Sequence, residues 1–248
     1  MSEVSNTRVA LVTGASRGIG AAIAEKFAAD GWDLTISARG REALEKKAVE
    51  LRERGAGRVE VVPADMTDAD AITALGTAHA DAFGRCDALI INAGMGSKGA
   101  VAEMPVKRFD RLYEVNVRAP YILLQSVLPT LRATAETNGA AKVIAVASIT
   151  GVYPEPELAA YGATKAALIS LCETFNLEES ENGVSATTIA PGYVNTDMTD
   201  WLKDKLAAEE MITAADVAVV AHSVTQLSRY AVLPNVVLTR PGTNLHRA

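Results

Sequence analysis

The chain has 248 residues, 49% hydrophobic and 22% charged, with a formal net charge of −6. Such a length suits one large α/β domain with a sizeable core, and the composition is ordinary for a globular protein. The acidic balance argues against a nucleic-acid surface, and no apolar run reaches the roughly 18 residues of a membrane span.

The polar N-terminus MSEVSNTR reads as no signal peptide, so a cytoplasmic location is expected. Cys86 and Cys172 form neither a disulfide framework nor a metal cluster. His79, His222 and His246 lack ligand spacing and read as surface or satisfied histidines, so no metal site is expected.

Short apolar runs alternate with longer amphipathic ones. Strands are predicted at 8–13, 33–38, 58–63, 87–92, 142–148, 184–190 and 235–239, and helices near 18–30, 41–54, 68–83, 106–134, 157–181 and 213–229. Thr67-Asp68 and Thr213 stand as helix start signals, and glycines at 31, 55, 57, 84, 139 and 183 fall between helix and strand. Strands apolar on both faces, alternating with helices, predict a doubly wound parallel sheet of about seven strands, flanked by helices on both faces, a Rossmann fold. With no linker or repeat in sight, residues 1–248 read as a single domain.

The first predicted strand runs directly into TGASRGIG, residues 13–20, and then a helix. Glycines 14, 18 and 20 let backbone approach a phosphate at a helix N-terminus, which points to dinucleotide binding. An NAD-preferring site places a carboxylate at the end of the second strand, but here that end reads Ser37-Ala38-Arg39. Arg39, with Arg17 in the loop, matches a 2′-phosphate instead, so NADP(H) is the expected cofactor, with NAD(H) the lesser choice.

Downstream, YGATK sets Tyr161 and Lys165 four residues apart, on one face if the segment is helical. A cation beside a phenol lowers the phenol's pKa from about 10 and makes it useful as an acid or base. Alone, the pair reads more readily as a packed ring with a solvated amine.

The ordered motifs carry a resemblance over essentially the whole chain. T13-G-A-S-R-G-I-G20, Asp65, N92-A-G94, Asn116 in EVNV, Ser148, Y161-G-A-T-K165 and P191-G192 follow one another as in the short-chain dehydrogenase/reductase family, which this sequence resembles. The resemblance implies an oxidoreductase acting on a carbonyl or secondary alcohol. Tyr161 would be the acid/base, Lys165 would lower its pKa and hold the nicotinamide ribose, and Ser148 would stabilise charge on the substrate oxygen. Asn116 would hold a water linking Lys165 to solvent, or satisfy backbone within a long helix. By the same resemblance Gly14, Ser16, Arg17, Gly18, Ile19, Gly20, Arg39, Asp65, Met66, Asn92, Gly94, Pro191, Gly192, Val194 and Thr196 would join Tyr161 and Lys165 in binding the cofactor. Asp65 reads also as part of a helix cap, and Asn92 as a bridge between strand ends.

The resemblance also implies a lid near 197–212, with Met198, Trp201, Leu202, Leu206 and Met211 either on its inner face or packing it down. Residues Met95 to Gly99 and the turn Ile149 to Pro156, with Tyr153, Pro154 and Pro156, would complete a mostly apolar pocket for a medium-sized ketone or alcohol. The chain ends YAVLPNVVLTRPGTNLHRA, without the paired glycines common in 3-oxoacyl-[acyl-carrier-protein] reductases. The tail is closer to short-chain enzymes acting on hydroxy-amino acids or other small alcohols. An acyl-carrier reductase and a catalytically silent NADP(H) sensor are the alternatives. A nucleotide-sugar epimerase would need a longer chain. The small-molecule substrate is the expected partner, and the family implies a homodimer or homotetramer.

Overall fold

The computed structural model describes residues 7–242 apart from 203 and 205; the tail with His246 lies outside the described residues. Seven parallel strands form one sheet in the order β3-β2-β1-β4-β5-β6-β7. They are β1 Val9–Thr13, β2 Asp33–Ser37, β3 Val59–Val61, β4 Ala88–Ile91, β5 Ala141–Val146, β6 Val184–Pro191 and β7 Asn235–Leu238. The intervening helices are α1 Gly18–Ala29, α2 Arg41–Glu53, α3 Ala69–Phe83, α4 Val106–Tyr113, α5 Ala119–Asn138, α6 Ala159–Glu179 and α7 Ala214–Val224.

Every residue of β1, β4, β5 and β6 is buried, because helices cover both faces of the sheet. One core joins α1, α2 and α7 to one face through Ile23, Phe27, Leu44, Leu51 and Val217. Phe27 and Trp32 stack there with ring centroids 4.7 Å apart, and burial of each such ring contributes roughly 1.5–3 kcal/mol. The other core joins α3, α5 and α6 through Ile72, Leu75, Leu123, Val127, Leu168 and Phe175. The strand order reverses between β1 and β4, so a crevice opens at their carboxyl ends, where open α/β sheets take ligands.

Local chemistry sets the boundaries. Asp68 caps α3 by accepting from the Asp70 and Ala71 amides, and Thr213 with Asp216 forms a reciprocal capping box on α7. The predicted helix 106–134 is interrupted by a π-helical turn, Glu114–Arg118, and continues to Asn138, where Gly139 takes a left-handed φ of 89°. The helix predicted to reach 229 stops at Val224. The chain then turns, and Lys142 Nζ, from β5, donates to the carbonyls of Ser228 (3.1 Å) and Ala231 (3.4 Å). β5 ends at Val146, short of the predicted 148; the Ala147 amide still donates to the Ile189 carbonyl of β6 (2.7 Å), and Ser148 follows it.

Both cysteines are free and buried. His79 is buried and bonded through Nδ1 to Thr35 Oγ1 at 2.8 Å, with burial pushing its pKa down to about 4. No helix among the described residues is long and apolar enough to cross a membrane, and no group of side chains there could hold a metal ion.

Candidate active site

The loop after β1 is built by close approach. Gly14 has φ +66°, where a side chain is strained, and a Cβ there would lie 2.6 Å from Asn92 Nδ2. A Cβ on Gly20 would collide with the Gly14 carbonyl oxygen and Asn92 Nδ2. Asn92 Nδ2 donates to the carbonyls of Thr13 (2.9 Å) and Gly14 (3.3 Å), so Asn92 clamps the end of β4 to the end of β1. At the start of α1, Arg17 provides no side-chain cap, leaving the first N–H groups without one. A glycine-lined cradle with uncapped N–H donors suits a diphosphate.

Arg17, expected at the cofactor's phosphate, is turned elsewhere: its Nη1 lies 2.8 Å from Asp197 Oδ2, and both side chains are exposed. The physical reason is that the chain after β6 passes over the loop, where a Cβ on Gly18 would lie 3.4 Å from Thr196 Cγ2. Arg39 is exposed just past β2 and close enough for its charge to be felt at Asp65. Asp65 accepts from the Thr67 amide (2.9 Å) and hydroxyl (2.8 Å), which hold its carboxyl below the usual range. Asp65 therefore anchors the approach to α3 while remaining exposed, and Met66 beside it is buried.

Four polar side chains from three elements meet at the carboxyl edge. Asn116, on the π-helical turn, accepts from the Met95 amide (2.9 Å) and donates to the Met95 carbonyl (2.9 Å) and Thr164 Oγ1 (3.0 Å). Its amide thus ties the 95–99 loop to α6, whereas the sequence suggested the backbone of its own helix. Gly94 is the spacer: a Cβ there would stand 3.4 Å from Asn116 Oδ1 and 3.5 Å from Lys165 Nζ. Ser148 follows β5, with its hydroxyl near enough to the Tyr161 phenol to pull that group's pKa down. Thr150, not singled out from the sequence, donates to Ser148 Oγ from its hydroxyl (3.0 Å) and amide (3.3 Å).

Lys165 departs from the sequence expectation in one respect. Its Nζ donates to the Val146 carbonyl at 2.8 Å and lies 5.8 Å from the centre of the Tyr161 ring. Burial raises the Tyr161 pKa to about 12, against the lowering effect of Ser148, and burial depresses Lys165 to about 8. Desolvation is thus the dominant influence on both groups.

Beyond β6, Gly192 N donates to the Leu238 carbonyl (2.8 Å), and Val194 bridges to Ile212. The stretch between is pinned at both ends. Its described residues include two short 3₁₀ turns, Asp197–Leu202 and Ala208–Glu210. Leu202 and Met211 are buried, Leu206 is half-buried, and Met198 and Trp201 are exposed; positions 203 and 205 lie outside the described residues.

The neighbouring pocket is less apolar than the sequence suggested. A cavity of about 240 Å³ is lined by Lys98, Glu155, Glu157, Leu158, Tyr193 and Trp201, among others. Glu155 of the 149–156 turn and its neighbours Lys98 and Glu157 bring charge to this lining, where Tyr153, Pro154 and Pro156 had drawn attention.

The sequence matches the family described as short chain dehydrogenase over residues 8–207. The chain belongs to that family, and its fold and its oxidoreductase class follow from this. It is 33% identical over 238 residues to an uncharacterised oxidoreductase of Staphylococcus epidermidis, covering 94% of this chain and 97% of that one. It is 32% identical over 213 residues to a 3-oxoacyl-[acyl-carrier-protein] reductase of Staphylococcus aureus, covering 86% and 84%. Among solved structures, an alcohol dehydrogenase from the archaeon Thermococcus sibiricus complexed with 5-hydroxy-NADP superposes with a TM-score of 0.86 at 28% identity, covering 96% of this chain and all of that one. The Pseudomonas aeruginosa RhlG/NADP complex superposes with a TM-score of 0.85 at 29% identity, covering 95% of each chain.

Proposed function

We propose that this oxidoreductase is NADP(H)-dependent and interconverts a carbonyl and a secondary alcohol, with Tyr161 as the acid/base. The observation that carries this reading is the convergence of Ser148, Tyr161, Lys165 and Asn116 beside a glycine cradle at one sheet edge.

The residues fit the dinucleotide. Gly14, Gly18 and Gly20, with Ser16 and Ile19 beside them, would face its diphosphate. Arg39 would take the 2′-phosphate, joined by Arg17 once released from Asp197. Asp65 and Met66 would border the adenine, and Asn92, Gly94, Pro191, Gly192, Val194 and Thr196 would line the path to the nicotinamide. The bound dinucleotide supplies the hydride that adds to the carbonyl carbon.

The chain's own part is proton transfer and charge stabilisation. Ser148 donates a hydrogen bond to the carbonyl oxygen, and Tyr161 gives that oxygen its proton as charge builds there. With burial pushing its pKa up to about 12, Tyr161 holds that proton through the neutral range. In reverse, Tyr161 accepts the alcohol proton, which requires Lys165 to shift from Val146 toward the phenol. Asn116 would hold the water that connects Lys165 with solvent. The stretch 197–212 would close over the substrate as a lid on a single domain, and the long helices α5 and α6 would pair between subunits of a dimer or tetramer.

An acyl-carrier reductase is the second reading, favoured by the Staphylococcus aureus relative. NADPH oxidation against ketones, diketones, quinones, hydroxy-amino-acid products and a 3-oxoacyl thioester tests both. Turnover confined to the thioester selects the second; binding of NADPH with no turnover of any class would favour a silent sensor.

A further inference from the structure

The cavity between the Ser148 turn and the stretch after β6 contains a carboxylate oxygen that the protein leaves unanswered. Glu155 Oε1 accepts from the Tyr193 hydroxyl at 2.7 Å, while Glu155 Oε2 is buried with no hydrogen-bond partner. A buried acceptor left without a donor costs roughly 1–3 kcal/mol, so proteins seldom keep one without use. Lys98, the cation lining this cavity, is committed: its Nζ lies 2.8 Å from Glu157 Oε2. Lys98 is thus matched by Glu157, and among the described residues lining the cavity no other cation faces Glu155. Arg240 is near enough for its charge to be felt at the Tyr193 phenol, but it does not line the cavity.

The walls suit a cation as well. Tyr193 and Trp201 meet edge to face with centroids 6.0 Å apart, and Lys98 Nζ sits 5.1 Å above the Trp201 ring, so this aromatic surface already accepts an ammonium. The cavity is wired to the reacting residues. The Leu158 amide donates to the Glu155 carbonyl (3.2 Å), and the Gly162 amide donates to the Leu158 carbonyl (2.7 Å) in the turn that carries Tyr161.

We infer that the physiological substrate bears an ammonium group, which Glu155 receives between Tyr193 and Trp201 while the carbonyl or alcohol lies at Ser148 and Tyr161. This inference rests on the oxidoreductase reading above and names the substrate class of that site: amino-ketones and amino-alcohols. Glu155 is then a specificity residue, held in place by Tyr193.

The test uses three series of aliphatic secondary alcohols, matched in chain length and ending in ammonium, hydroxyl or methyl, with NADP+ as oxidant. The expected result is a kcat/KM at least about tenfold higher for one or more ammonium-ended members than for their partners. In Glu155→Gln that ratio should collapse toward one, and Tyr193→Phe should reduce it partially. Equal or better turnover of the hydroxyl- or methyl-ended chains by the wild-type protein overturns the inference and leaves the oxidoreductase reading standing. Calorimetric binding of the same compounds, with and without dinucleotide, decides the case in which none turns over. Tighter binding of the ammonium-ended chain, lost in Glu155→Gln, supports the inference even so, and its absence overturns it. Failure of NADP(H) itself to bind would instead strike the cofactor reading.

Discussion

The Ser148 hydroxyl oxygen accepts hydrogen bonds from both the hydroxyl and the amide of Thr150, at 3.0 and 3.3 Å. With its acceptor side occupied, the Ser148 proton is left to donate toward the substrate oxygen. Thr150 is therefore a positioning residue. Thr150→Val should lower kcat about tenfold with little change in KM, and Thr150→Ser should restore most of it. Ser148→Ala, which removes the donor itself, should cost about a hundredfold or more in kcat. Steady-state kinetics on one substrate, with circular dichroism to confirm folding, checks all three.

Cofactor choice should follow the two arginines. Arg39→Ala should raise the Kd for NADPH about tenfold or more and leave NADH nearly unchanged. Asp197→Asn removes the exposed partner of Arg17, and the freed guanidinium should tighten NADPH severalfold. Fluorescence titration with both nucleotides checks the pair of predictions.

Gly20→Ala places a methyl group against the Gly14 carbonyl and the Asn92 amide. Backbone cannot yield there without opening the clamp between β1 and β4. The variant should lose most dinucleotide binding and unfold several degrees lower, which thermal denaturation with and without NADPH will show.

Lys165 gives a pH signature to stability. Its folded pKa of about 8 lies below the ordinary value of 10.5, so the unfolded chain binds more protons between those limits. Stability should therefore rise with pH through that window. Tyr161 acts oppositely: its folded pKa of about 12 exceeds the ordinary 10.0, so the unfolded phenol ionises first and stability falls above about pH 10. Urea unfolding of wild type and Lys165→Met across pH 7–10 should show the rise in the first and a flatter curve in the second.

The fold was legible because strand and helix periods alternate so regularly, and Gly14, Gly18 and Gly20 marked their loop by standing between a strand and a helix. Within the site, Ser148, Tyr161 and Lys165 were legible as an ordered motif. What escaped were pairings between distant segments. Arg17 and Asp197 are 180 residues apart, Glu155 and Tyr193 are 38 apart, and no local pattern encodes either contact. The resting state of Lys165 escaped as well, because desolvation depends on what covers a residue, and the Val146 carbonyl that holds it lies on another element. Thr150 carried a signal, a hydroxyl two residues past Ser148, that became meaningful only once the turn brought the two oxygens together.

NADPH binding and carbonyl reduction, measured side by side for wild type and Tyr161→Phe, decide whether Tyr161 passes the proton. The variant should keep the Kd for NADPH within about threefold and lose about a hundredfold or more in kcat. Turnover of Tyr161→Phe within a few-fold of wild type would contradict that role and assign the proton to another group.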